Sequence, residues 1–154
     1  MIKDSRGQVS IEFILVIGAI LTMTIVGIPM ILKNAEMNKG LSAARDGATY
    51  GAAMRGMGYA GENVNVQPSG VVKIINITPI YNGTVNGTER YQLRFYISAP
   101  DEMIDNPTCV SSSIGGTIRM QARRYMNYAF TGSWSTTSPI WGSYYSFTTS
   151  CRFV

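Results

Sequence analysis

An α+β fold, a long N-terminal hydrophobic helix followed by a small antiparallel β-sheet domain, is predicted by three features of the chain. Phe13 to Leu32 is a run of twenty residues without a charge. Beyond it Met37, Leu41, Ala44, Ala48 and Ala52 recur at steps of three and four, until Gly56, Gly58 and Gly61 break the pattern. Past Asn63 the periodicity changes to two, with β-branched and aromatic residues alternating with polar ones.

The first element follows from length. Twenty helical residues span roughly 30 Å, enough to cross a bilayer. Lys3, Asp4, Arg6 and Gly7 form a polar leader in front of it. A secretory signal has a shorter apolar core, of about 7–15 residues, with a small-residue cleavage site directly behind it. Here the small pairs Ala43-Ala44 and Ala52-Ala53 lie well beyond Leu32, so removal of the apolar segment is not expected. Basic residues before a span tend to stay cytoplasmic, which sends the C-terminal domain outside. Gly18 and Gly27 permit close helix contact, and Pro29 removes a backbone donor, so a kink or local opening is expected there. The stripe from Met37 to Ala52 reads as a helix face packed on the chain's own domain.

Glu12, at the lip of the span, is costly in an apolar setting and requires compensation. The residues around it, Gly7 followed by Gln8-Val9-Ser10-Ile11-Glu12-Phe13 and an unbroken apolar helix, resemble the class III signal peptide of archaeal type IV pilins, best known in methanogens. Gln8, Ser10 and Glu12 match that pattern one for one. The resemblance covers about thirty residues. It implies cleavage between Gly7 and Gln8 by a prepilin peptidase, retention of the hydrophobic helix, and recruitment from the membrane by a pilus assembly platform for self-association into a helical filament. It also implies a register-setting role for Glu12, paired with the new α-amine of a neighbouring subunit, a pairing that cyclisation of Gln8 would remove. By similarity to bacterial type IV pilins, Pro29 is expected to be a flexible point during assembly. The expected organisation is a leader at 1–7, a helix at 8–58 with its membrane span at 13–32, and an extracellular β-rich domain at 59–154.

Composition fits an exported subunit. Charged residues make up 14% of the chain and the net charge is +4, too small and too scattered for nucleic-acid binding. Cys109 and Cys151 are the only two cysteines. In an oxidising compartment such a pair points to a disulfide, free buried thiols being the other reading, and without histidine the pair cannot complete a usual zinc site. Asn76-Ile77-Thr78, Asn82-Gly83-Thr84 and Asn86-Gly87-Thr88 are N-glycosylation sequons. The Asn-Gly pairs are turn formers as well.

Within the β region, strands are expected around Val64 and Val66, over Val71 to Ile77, over Tyr91 to Ile97 and within Ile140 to Phe153. A decorated hairpin loop is expected over Tyr81 to Thr88. Thr117 to Phe130 is ambiguous, since Ile118, Ala122 and Met126 fit a helix, but Tyr125, Tyr128 and the β context favour a strand. Four to six antiparallel strands are expected.

Catalysis lacks support. The chain has no histidine, which removes His-assisted nucleophiles and His metal sites. Asp101, Glu102 and Asp105 read as a solvated loop in preference to a calcium site, as the EF-hand spacing is missing. Arg119, Arg123 and Arg124 read as an exposed strand face. Tyr144, Tyr145, Trp134 and Trp141 fit either an adhesive aromatic surface or sheet core. No enzymatic activity, metal or cofactor is expected. The function expected is that of a structural filament subunit for surface adhesion; the alternative is a single-span membrane-anchored binding module that does not polymerise.

Overall fold

The computed structural model describes residues 5–58, 70–104 and 113–154, with side chains from residue 11 onward. Two helices and four strands follow one another: α1 (Ser5–Gly56), β1 (Lys73–Val85), β2 (Thr88–Ser98), a 3-10 turn (Asp101–Met103), α2 (Ile114–Thr131), β3 (Ile140–Trp141) and β4 (Tyr145–Phe153). The fold is α+β, as predicted. The chain divides into two compact units, Met1–Ala35 and Glu36–Val154.

In the first unit, α1 is helical on both sides of Pro29. Large apolar residues from Ile11 to Leu32 are between 41 and 78% exposed. The hydroxyls of this stretch are satisfied within the helix: Thr22 Oγ1 donates to the carbonyls of Gly18 (2.6 Å) and Ala19 (3.0 Å), and Thr24 Oγ1 to that of Ile20 (2.8 Å). This back-bonding leaves no hydroxyl needing water, which a nonpolar surrounding requires. Among the described residues α1 is the one helix long and apolar enough to cross a membrane. That is compatible with membrane anchoring.

The second unit holds the core. Ala44, Ala48 and Ala52 of α1 are buried against Ile114, Ile118, Ala122 and Met126 of α2 and against Leu93, Phe95, Ile97 and Phe147 of the sheet. The small stripe of α1 therefore packs on its own domain, as its spacing implied. Close approach explains its composition. A Cβ on Gly47 would meet the Gln121 carbonyl oxygen at 2.6 Å, and one on Gly40 would meet the Phe147 ring at 2.9 Å.

Two expectations are corrected. The segment Thr117 to Phe130 is not a strand but most of α2. Ser113 caps it by accepting from Gly116 N at 3.2 Å, and Gly132, at φ 72°, closes it in the left-handed conformation. Its buried residues at four-residue steps form one helical face, and that face outweighs the β propensity of Tyr125 and Tyr128. The sheet is also mixed rather than antiparallel, with order β1-β2-β4-β3. β1 pairs antiparallel with β2 and β3 with β4, but β2 and β4 are parallel, Leu93 facing Thr149 and Phe95 facing Cys151. Parallel neighbours need a crossover, and α2 is that crossover.

The segment Tyr81 to Thr88, expected to be a decorated loop, is mostly strand. β1 and β2 pair up to Val85 and Thr88 around the two-residue turn Asn86-Gly87, whose φ values are 52° and 78°. Asn82 falls in a register shift between Tyr81 and Thr84. The expected strand at Val64 and Val66 lies outside the described residues.

Candidate functional site

The residues expected to serve processing and assembly all lie on α1. Gly7, Gln8 and Ser10 are within its helical backbone, and Glu12, two residues past Ser10, is exposed. Asn76, Asn82 and Asn86 are exposed, the first turning its Oδ1 to accept from Ile77 N at 2.8 Å. Cys151, on β4, is disulfide-bonded; Cys109 lies outside the described residues. Asp101 and Glu102 open the 3-10 turn, and Asp105 lies outside the described residues. Among the described residues no group of three metal-ligating side chains converges.

The three arginines are on α2, not on a strand. Arg123 donates through Nε to Thr149 Oγ1 at 2.7 Å. Burial lowers the pKa of both Arg119 and Arg123, and the Arg119 charge lowers Arg123 further. The Arg123 bond to Thr149 braces α2 on β4.

The four aromatics that fit either a surface or a core are divided between the two. Tyr145 is core, edge-on to Tyr91 at 5.3 Å. Desolvation raises the Tyr91 phenol pKa, and nearby Glu89 raises it further. Tyr144 packs partly buried against the core, and Trp141 is exposed at the short β3 edge. Trp134 belongs to a different group. It stacks on Tyr128 with centroids 4.5 Å apart and planes 17° from parallel, and it meets Tyr125 edge-on at 5.2 Å. Tyr125 in turn lies 5.9 Å from Tyr50 of α1. Tyr50, Tyr125 and Trp134 border a cleft of about 590 Å³ that Met54, Gln121 and Arg124 also line.

Sequence reading found Trp134 but missed Tyr50 and misplaced Tyr125 and Tyr128. On a helix, residues three apart share a face, so the helical reading of α2 would have put both tyrosines beside one another. Glu36 was missed too. Its Oε2 accepts from Ser143 N (3.0 Å) and Tyr144 N (3.2 Å), and its Oε1 from Tyr144 N (3.0 Å) and Tyr145 N (2.9 Å). Three successive amides thus cradle one carboxylate.

No protein-family model, curated protein or solved structure matches the chain.

Proposed function

We propose that this protein is a pilin, the structural subunit of an extracellular type IV pilus-like filament, held in the cytoplasmic membrane as a precursor and assembled by packing of its N-terminal helices. The observation that carries the reading is the exposure of large apolar side chains throughout Ile11 to Leu32, with both threonines of that stretch bonded to their own helix. Such a surface is unstable in water by about 25 cal/mol for each Å². Lipid covers it in the precursor, and neighbouring copies of the same helix cover it in the filament. A subunit that offers one patch to a different patch on the next copy grows an open helical array. Glu12 gives that packing an axial register. The disulfide at Cys151 supports an oxidising, extracytoplasmic location for the second unit.

Surface filaments sheared from the native host and analysed by intact mass test the proposal. The expected result is this chain as a component, beginning at Gln8. Its absence from filaments, or a mass that retains Met1 to Gly7 in assembled material, would overturn it.

A further inference from the structure

We infer that the face of the sheet turned away from the helices binds a linear acidic polysaccharide, whose anionic groups are held by Arg90, Arg94 and Arg152. The inference goes beyond the filament reading and stands whether or not the chain polymerises.

Strand pairing sorts charges that look scattered along the sequence. Leu93, Phe95 and Ile97 of β2 and Phe147 of β4 are buried in the core with the helices, so the alternate residues of these strands point to the other face. On β2 these are Arg90, Gln92, Arg94 and Tyr96, and they pair in that order with Ser146, Thr148, Ser150 and Arg152 of β4. Trp141 of β3 faces Ser146, while Thr78 and Asn76 of β1 face Arg94 and Tyr96. Lys73, opposite Ser98, adds a fourth cation at one corner. The one acid within the four strands is Glu89. It belongs to the opposite face, where its Oε2 accepts from the Tyr91 hydroxyl at 3.4 Å.

The outward face is open and rich in donors. Lys73, Trp141 and Arg152 are exposed, and Arg90 and Arg94 are half-buried. Among the described residues, none of the three guanidiniums is engaged in a hydrogen bond or ion pair. Arg90 Nε, Ser146 Oγ and Ser150 Oγ are buried without a hydrogen-bond partner, and Ser146 as a whole is 0% exposed. Each of these atoms can donate, and a buried donor left unpaired is costly. Rotation of the three side chains toward an oxyanion lying above the sheet would give each the acceptor it lacks.

Shape and chemistry select the partner. Arg90 and Arg94 stand four residues apart on one strand, about 13 Å, and Arg152 lies one diagonal step beyond Arg94. A line of cations across a flat face suits an extended polymer better than a small ion. Guanidiniums present paired N–H donors to carboxylate or sulfate groups. Between them Gln92, Thr78 and Thr148 offer an amide and hydroxyls to match the hydroxyls of a sugar. Trp141 and Tyr96 provide negative ring faces for the polarised C–H groups of a pyranose. These two rings stand six residues apart along the strands, about 20 Å, with no aromatic position between them on this face. Successive bases of a single-stranded nucleic acid would therefore find no successive rings to stack on.

Isothermal titration of the full chain in neutral detergent micelles tests the face. The probes are octagalacturonate, the uncharged maltooctaose and an oligothymidylate of matching charge. Saturable binding of the uronate is expected, about tenfold tighter than that of the neutral sugar. Arg90→Ser and Arg94→Ser should each weaken it by about tenfold. Arg45→Ser removes the same charge from an exposed position on α1, which packs on the opposite face of the sheet, and should leave binding unchanged. Unchanged thermal unfolding shows that the variants keep the fold, and the exposed Arg152→Ser decides if Arg90→Ser and Arg94→Ser are destabilised. No saturable uronate binding, equal affinity for maltooctaose, undiminished binding in the folded arginine variants of the sheet, equal weakening by Arg45→Ser, or tighter binding of the oligothymidylate would each overturn the assignment.

Discussion

Glu36 joins parts of the second unit that are far apart in sequence. Its carboxylate takes the amides of Ser143, Tyr144 and Tyr145, more than a hundred positions away, and fixes the β3–β4 turn to α1. The same turn places Tyr145 in the core. Gly142 makes room for this contact, because a Cβ there would overlap Glu36 Oε1. Charge-assisted bonds to backbone amides are stronger than neutral ones, but the site is half-buried and water can replace part of what is lost. Glu36→Gln is therefore expected to destabilise the fold by about 1–2 kcal/mol. Gly142→Ala should cost about the same, since it acts by displacing the carboxylate. The two changes combined should cost hardly more than either alone. Denaturant unfolding of the single and double variants in micelles checks this; additive losses would mean that Gly142 acts independently of Glu36. Nothing local in the sequence advertises the contact, since one acid on a polar helix face looks like any solvated charge.

Elements were legible where one periodicity dominates a stretch. A charge-free run can be only a long buried or membrane helix, and alternation from Tyr91 to Ile97 can be only a strand, so α1 and β2 follow from local pattern. In α2 the four-residue steps of Ile118, Ala122 and Met126 compete with tyrosines that favour strands. What resolves the competition is non-local: β4 lies parallel to β2, and the chain must cross over between them. The Trp134 cleft was half-legible for the same reason. Its indole was visible, but its tyrosines become neighbours only when α2 is a helix packed on α1. That packing rests on Gly47, where an added Cβ would meet the Gln121 carbonyl carbon and oxygen and the Ala122 Cα at 2.6–2.9 Å. All three are backbone atoms, so α2 itself would have to shift. Gly47→Ala should gain about 1 kcal/mol in helix propensity and lose about 1–3 kcal/mol to overpacking. Overpacking is expected to win. At Gly51 the nearest atom, Ile118 Cα, would be 3.0 Å from the new Cβ, so Gly51→Ala should be milder. Unfolding midpoints of the two variants test the order, and a stabilised Gly47→Ala would show that the helices separate easily.

At the scale of the molecule, the two units divide the work. All buried hydrophobic residues named in the core, from Ala44 to Phe147, lie in Glu36–Val154. Ile11 to Leu32 contributes none of them and is exposed. A chain beginning at Lys33 should therefore be water-soluble and unfold cooperatively, while the full chain requires detergent. Loss of cooperative unfolding on truncation would mean that the apolar segment is needed for folding of the second unit.

Glu12 is where the filament proposal is most exposed to test. It is an ionisable group at the edge of a segment that is otherwise apolar from Phe13 to Leu32. A plain anchor tolerates such a group at the membrane surface, where water and the helix N-terminal dipole stabilise it. Packed among neighbouring helices, it would cost several kcal/mol unless a positive charge met it. Under the filament proposal, an amine released by cleavage before Gln8 would supply that charge on another subunit, at one axial offset only. Glu12→Val removes the carboxylate and leaves the apolar run longer, so membrane insertion and cleavage should persist. If the carboxylate selects the offset, filaments should disappear while processed subunit accumulates in the membrane. Glu12→Asp, which keeps the charge on a shorter stem, should restore filaments in part. The measurement is filament yield by electron microscopy, set against the amount of processed subunit in the membrane fraction. Normal yield from Glu12→Val would mean that apolar packing alone sets the register, and a filament would then have to be ordered by contacts elsewhere on α1.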